Sequence, residues 1–281
     1  MRVALLQLRS TTDVDANLER TESLIRQAAS QGAHWILTPE NTPFLGADRD
    51  KLAVAEPLDG PTIRRFCELA ATLEIWLTIG SMAECSPDPE RTYNTQVLIS
   101  PNGRLSSIYR KIHLFDVDVD DDTSFCESTS VYPGDKPTIA TIDDAQDQRW
   151  SIGQSICYDL RFPELYRHYQ GQRCQILTVP SAFTRRTGSA HWHALLRARA
   201  VENQAYVLAP NQWGHHFGKR YSYGQSAIYD PWGQRVACAS DGERVVVADL
   251  DAGYVDEIRR AMPVLDHRRV AGASVDGGSA R

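Results

Sequence analysis

RVALLQLRSTTDVDANLERTESLIRQAASQGAHWILTPE, residues 2–40, reads as strand, helix, strand. Residues 2–8 are apolar almost throughout, the mark of a strand covered on both faces. Residues 13–31 repeat apolar side chains at helical spacing, with Asp13 or Asp15 as cap and Gly32 as stop. HWILTPE (34–40) returns to strand. Downstream, GPTIRRFCELAATLEI (60–75) puts proline in a first helical turn and leads straight into the strand WLTIGSMAE (76–84), completing a βαβα opening. TYNTQVLIS (92–100), the turn Pro101-Asn102-Gly103 and RLSSIYRKI (104–112) then predict two antiparallel strands, so the sheet is mixed.

Strand and helix alternate again through WSIGQSIC (150–157), FPELYRHYQGQ (162–172), CQILTVPSA (174–182), AHWHALLRARAVEN (190–203) and AYVLAPNQ (205–212). A hairpin pivots at DPWGQ (230–234), followed by RVVVADL (244–250) and the helix DAGYVDEIRRAM (251–262). Nearly continuous apolar strands suit sheets covered by helices on one face and by a second sheet on the other. The expected class is therefore α/β, a four-layer α-β-β-α sandwich with two mixed sheets, as one domain over 1–270. The Gly- and Ser-rich residues 271–281 are expected to be a mobile tail.

A net charge of −6, with basic residues dispersed, gives no footprint for nucleic acid. No apolar run reaches the roughly 18 residues of a membrane span, and the N-terminus lacks a signal pattern, so a cytoplasmic chain without membrane contact is expected. The six cysteines include no CxxC pair or Cys/His cluster, which argues against a zinc site or disulfide framework. Five of them are expected to be small buried apolar residues.

The sixth, Cys157 in GQSICYDLRFPELY, stands where a strand ends and a helix opens near Phe162-Pro163-Glu164, the place where α/β folds build sites. A neighbouring cation could lower its thiol pKa, and the Tyr158 amide could face an oxyanion. A buried core cysteine fits this segment equally well. Thr38-Pro39-Glu40-Asn41 sets a carboxylate at a strand end instead of a solvated helix face, although an exposed loop glutamate is the commoner case. Lys111, in YRKIHLFD, follows a strand among apolar neighbours; it is either a desolvated ammonium or a snorkelling surface lysine.

Taken together, TPEN, YRKIHLFD and SICYDLRFPELY resemble the three signature segments of the nitrilase, or carbon–nitrogen hydrolase, superfamily, in order and over residues 2–270. The resemblance implies Glu40 as general base, Lys111 as oxyanion-stabilising cation and Cys157 as nucleophile. It further implies that Glu127, in SFCES, orients the lysine. The implied reaction is attack on an amide carbonyl, loss of ammonia and hydrolysis of a thioester, with no metal or organic cofactor. Since Glu40 must accept and then donate a proton, its pKa is expected near the working pH.

SAFTRRTGSAHWHALLRARAVENQAYVLAPNQ, GKRYSYGQSAIYDPWG and MPVLDHRR are similar to the branch holding deaminated-glutathione amidase and ω-amidase. This implies a small carboxylate-bearing amide as substrate, with aliphatic amides, carbamoyl compounds and nitriles as alternatives. It also implies a homodimer that extends the sandwich across an interface. Tyr158, Arg161, Phe162, Ser181, Ala182, Phe183 and Thr187 are implied at the pocket, and Ser189 replaces a proline expected to stiffen a loop. Arg185 and Arg186 are adjacent cations that could hold a substrate carboxylate, or two solvated side chains.

Other patterns are weaker. Asp116, Asp118, Asp120 and Glu127 follow calcium-loop spacing, but Asp121 stands where its turn wants glycine. Gly153-Gln154-Ser155 lacks the closing glycine of a serine elbow. His191 or His193 could instead partner Cys157 in a Cys–His dyad, or Cys157 could be a redox sensor on a non-catalytic module.

Overall fold

Alternation along β1 (Arg2–Gln7) sets the layers: Val3 and Leu5 face one way, Ala4 and Leu6 the other, and all four are fully buried. The computed structural model describes residues 1–118 and 124–270. After β1 comes α1 (Val14–Ser30), where the Asp13 carboxylate accepts from the Ala16 N–H at 3.0 Å and thus settles the cap in favour of Asp13. Next are β2 (Trp35–Leu37), α2 (Pro61–Leu73) and β3 (Trp76–Cys85), with the three strands parallel. β4 (Thr92–Ile99) and β5 (Leu105–Arg110) extend the sheet antiparallel, joined by the expected turn with Gly103 at φ +73°. A short ribbon of β6 (Asp116–Asp118) and β7 (Ser124–Cys126) follows.

The second sheet collects β8 (Ile139–Asp143), β9 (Arg149–Gln154), α3 (Pro163–Gly171), β10 (Ile176–Thr178), α4 (Arg185–Asn203) and β11 (Tyr206–Ala209). A ribbon of β12 (Trp213–Phe217) and β13 (Arg220–Tyr223) precedes the hairpin β14 (Ala227–Tyr229) and β15 (Arg235–Cys238). β16 (Arg244–Asp249) then crosses back and pairs antiparallel along all of β1, before α5 (Ala252–Ala261) and α6 (Val264–His267). The two mixed sheets run β16-β1-β2-β3-β4-β5 and β15-β14-β11-β10-β9-β8.

Three buried clusters make the four layers. Ala4, Leu6 and Ile79 meet Leu18, Ile25 and Phe66 of α1 and α2. Val3, Leu5 and Trp35 meet Trp150, Ile152 and Ile176 between the sheets. Leu177 and Val207 meet Tyr166, Tyr169, Trp192 and Leu196 of α3 and α4. The α-β-β-α order is the expected one, and the residues just past β2, β9 and β10 meet: the Cys157 N–H donates to the Pro180 carbonyl and the Ala182 N–H to the Glu40 carboxylate.

Some expectations change. The stretch 185–189, expected to be a loop ahead of the helix at 190–203, already belongs to α4, whose cap Thr184 accepts from the Thr187 N–H; the missing proline at Ser189 therefore alters a helix and not a loop. Of the five cysteines assigned to the core, only Cys174 is buried, while Cys85 and Cys126 are exposed. The tail 271–281 lies outside the described residues, as do Asp120 and Asp121 of the calcium-loop pattern. Among the described residues, no helix is long and apolar enough to cross a membrane.

Candidate active site

Glu40 is set by the close approach of two backbones. A Cβ on Gly80 of β3 would stand 2.1 Å from the Thr38 carbonyl oxygen and 2.4 Å from that of Pro39, so only glycine lets the end of β2 lie there. The Thr38 hydroxyl oxygen accepts from the Gly80 N–H at 2.9 Å, and the Thr42 hydroxyl donates to the Pro39 carbonyl at 2.7 Å. The Glu40 side chain thereby points inward, with the residue 3% exposed.

Lys111, just past β5, meets it there. Its Nζ lies 2.9 Å from Glu40 Oε1 and 2.8 and 3.0 Å from the two oxygens of Glu127. Asn94 of β4 bridges the same two carboxylates, donating to Glu40 at 3.0 Å and to Glu127 at 3.3 Å. Glu127 Oε2 also accepts from the Phe115 N–H, and Glu40 Oε2 from the Ala182 N–H at 2.8 Å. Burial opposes the charge on Lys111, but the fields of Glu127 and Glu40 outweigh it and hold its pKa well above the ordinary lysine range. Burial likewise opposes ionised Glu127, yet Lys111 and Lys51 hold its carboxyl well below the usual range.

Cys157 opens a short helix, Cys157–Arg161, with φ +48°. Such a left-handed backbone costs a side-chain-bearing residue on the order of 1–3 kcal/mol and is found where the surroundings enforce it. Here the Cys157 N–H donates to the Pro180 carbonyl at 2.9 Å. Asp159, fully buried two residues on, accepts from the Ile156 N–H (2.8 Å), the Tyr109 hydroxyl (2.7 Å), the His113 N–H (3.0 Å) and the His113 ring (2.7 Å). One carboxylate thus ties the cysteine turn to the two residues that bracket Lys111. Burial and then the Glu40 charge raise the Cys157 thiol pKa, outweighing Lys111. This corrects the expectation that a neighbouring cation lowers it: the cation is present, but the carboxylate and desolvation win.

Glu40, Lys111, Glu127 and Cys157 all line one cavity of about 310 Å³. The carbon–nitrogen hydrolase family profile matches residues 2–260. The chain belongs to that family. It is 41% identical to the deaminated glutathione amidase of Homo sapiens over 271 residues, covering 95% of this chain and 82% of that protein. Among solved structures it superposes on Saccharomyces cerevisiae Nit3, a member of branch 10 of the nitrilase superfamily, with TM-score 0.84 and 32% identity over 96% of this chain and 97% of the other. A mutant amidase from Nesterenkonia sp. AN1 superposes with TM-score 0.77 and 25% identity, over 95% and 97% of the two chains. That structure shows covalent addition of the acetamide moiety of fluoroacetamide at its active-site cysteine.

In this carbon–nitrogen hydrolase, Tyr158, Ala182, Phe183 and Thr187 line the cavity as expected by position. Arg161, Phe162 and Ser181 do not. Arg161 lies over the Tyr158 and Phe183 rings and contacts exposed His191; Phe162 stacks on His113 at 3.7 Å; Ser181 is fully buried with its hydroxyl on the Val179 carbonyl. Arg161 and Phe162 back the wall instead of lining it, because successive residues of the Cys157 turn point in different directions, while the Ser181 hydroxyl is turned to the Val179 carbonyl. Arg185 and Arg186 line a second, larger basin next door, of about 950 Å³.

The histidine alternatives have other partners: His191 meets Arg161, and His193 meets the Tyr229 hydroxyl at 2.9 Å. Neither lines the cavity of Cys157. Ser155 is buried against the Thr178 carbonyl and Tyr166, away from any elbow geometry. Asn94, Asp159 and Arg220 were not singled out from sequence, although each lies in or beside a quoted segment.

Proposed function

We propose that the protein is a cysteine amidase that hydrolyses a small carboxylate-bearing amide, with deaminated glutathione as the leading substrate. The observation that carries this is a single ammonium, Lys111, held at hydrogen-bond distance between two buried carboxylates on the cavity that also holds Cys157. The raised thiol pKa means that Cys157 enters the reaction as a neutral thiol and needs a base at the moment of attack. Glu40 takes that proton as sulfur adds to the carbonyl carbon. Lys111 and the Tyr158 N–H, which lies in the first helical turn without an intrahelical acceptor, stabilise the oxyanion.

Glu40 then returns the proton to the departing nitrogen, leaving a thioester. A water deprotonated by Glu40 hydrolyses it, releasing the acid and restoring the thiol. No step draws on a metal or organic cofactor. Glu127, already engaged by three donors, acts in this scheme as the group that positions Lys111.

Ammonia is the leaving group only for a primary amide. Deaminated glutathione contains substituted amides, so its cleavage releases an amine-bearing fragment. The 950 Å³ basin beside the 310 Å³ cavity gives such a fragment room and favours this substrate over the shorter ω-amides, such as 2-oxoglutaramate. A steady-state comparison of deaminated glutathione, 2-oxoglutaramate, a simple nitrile and an N-carbamoyl amino acid tests the assignment. Preference for the first, abolished by Cys157→Ala, is expected; preference for the nitrile or carbamoyl compound contradicts it.

The proposal includes a homodimer and a cytoplasmic location. Exposed Val201, near the end of α4 and against Gly233 of the β14–β15 turn, and exposed Trp232 of the same turn offer apolar surface to a second copy. A solution mass near twice the 31.4 kDa of the chain is expected, and a mass of one chain contradicts it.

A further inference from the structure

Arg220, the first residue of β13, lines both the Cys157 cavity and the adjoining basin, as do Phe125 and Thr184. Its guanidinium is held in place: Nη2 donates to the Ala182 carbonyl at 2.9 Å, and Cζ sits 4.5 Å above the Phe125 ring. Its other terminal nitrogen, Nη1, is buried and has no hydrogen-bond partner among the described residues. The carboxylates whose fields reach Arg220 are engaged elsewhere, Glu40 and Glu127 by Lys111 and Asp48 by Lys51. Burial weighs against its charge more than those fields favour it.

An unpaired buried donor on an ionised group is costly, and proteins leave few of them. Arginine stays charged in such a setting and presents a planar fork that matches a carboxylate. We infer that Arg220 is the specificity-determining residue that receives a carboxylate of the substrate through Nη1. Ala182 makes the placement useful to the chemistry, because its carbonyl holds Arg220 while its N–H holds Glu40. The anion is thus fixed relative to the base. This inference rests on the amidase reading and names the feature of the substrate that the site selects.

The first test reads anion binding without turnover. Iodoacetamide alkylates Cys157 in wild type, Arg220→Gln and Arg220→Lys, with glutarate as protecting dicarboxylate and pentane-1,5-diol as neutral control. Glutarate is expected to protect wild type saturably, and Arg220→Gln to raise the half-protecting concentration by about 10- to 100-fold, the value of one hydrogen bond to a charged group. Arg220→Lys is expected to recover part of this, and the diol to show no dependence on residue 220. A circular dichroism spectrum and melting temperature close to wild type show that the variant is folded; if Arg220→Gln fails to fold, Arg220→Lys decides alone through a weakened glutarate protection.

The second test compares kcat/KM for a carboxylate-bearing amide and its neutral counterpart, with selective loss on the former and most of it in KM. Wild-type glutarate protection in the variants, with amide hydrolysis unchanged, overturns the inference and leaves the amidase intact. Arg220-dependent protection without hydrolysis of any amide overturns the amidase reading and leaves the anion site.

Discussion

Replacing Asp159 by asparagine keeps the shape of the side chain but changes what its two ends can accept. Oδ1 faces the His113 N–H and ring, and Oδ2 faces the Ile156 N–H and the Tyr109 hydroxyl. An asparagine NH₂ has to meet one of these pairs. In either orientation a backbone N–H, of His113 or of Ile156, then faces another donor, whereas the imidazole or hydroxyl beside it can turn to accept. One strong hydrogen bond is lost and one buried N–H is stranded, together about 2–4 kcal/mol. For a chain of this size that corresponds to roughly 3–7 °C in melting temperature. Because these donors bracket Lys111 and precede Cys157, kcat is expected to fall with little change in KM. Thermal unfolding, steady-state kinetics and the alkylation rate of Cys157 measure the three consequences. Tyr109→Phe, which removes one donor and strands none, is expected to cost only about 1 kcal/mol. A melting temperature within a degree of wild type and an unchanged kcat in Asp159→Asn would refute the coupling.

Three other substitutions probe the frame of the site. Gly80→Ala sets a methyl 2.1 Å from the Thr38 carbonyl oxygen, so β2 must move and carry Glu40 with it; urea unfolding is expected to show a loss of about 1–3 kcal/mol, accompanied by lost activity. Glu127→Gln is expected to cost about 1.5–3 kcal/mol at neutral pH. The folded Glu127 pKa is lowered from 4.5 to about 2, so its stabilisation is complete above 4.5 and is lost as pH falls toward 2. The stability gap between wild type and Glu127→Gln, measured by denaturant titration, should therefore close over that interval; a gap independent of pH contradicts the ion pairing. The Arg185→Ala, Arg186→Ala double variant should raise KM for the acidic substrate about three- to tenfold, the modest value of exposed charges, and an unchanged KM dismisses their contact with it.

Strand and helix placement was legible because the apolar runs are long and the caps have chemistry of their own, as at Asp13 and Gly60-Pro61. Pairing was less so. RVVVADL announces a strand but not that β16 returns to lie along β1, since an apolar face fits either sheet. IATID, the edge strand β8, alternates weakly and passed unread. The start of α4 was invisible because RRTGSA carries no apolar face; the Thr184 cap is its signal.

In the site, motif resemblance brought out Glu40, Lys111, Glu127 and Cys157, whose side chains the fold gathers. It named Arg161 and Phe162 for their closeness to Cys157 along the chain, whereas the tight turn sends them behind the wall. Asn94, Asp159 and Arg220 act through partners that are distant in sequence. Their residue types alone carry no trace of those partners.

Acid-quenching the enzyme during turnover of deaminated glutathione and measuring intact and peptide masses tests the chemistry most directly. An adduct of the acyl half on the Cys157 peptide is predicted, absent in Cys157→Ala protein that has also lost turnover. Hydrolysis that persists in Cys157→Ala would contradict the assignment of sulfur as the nucleophile.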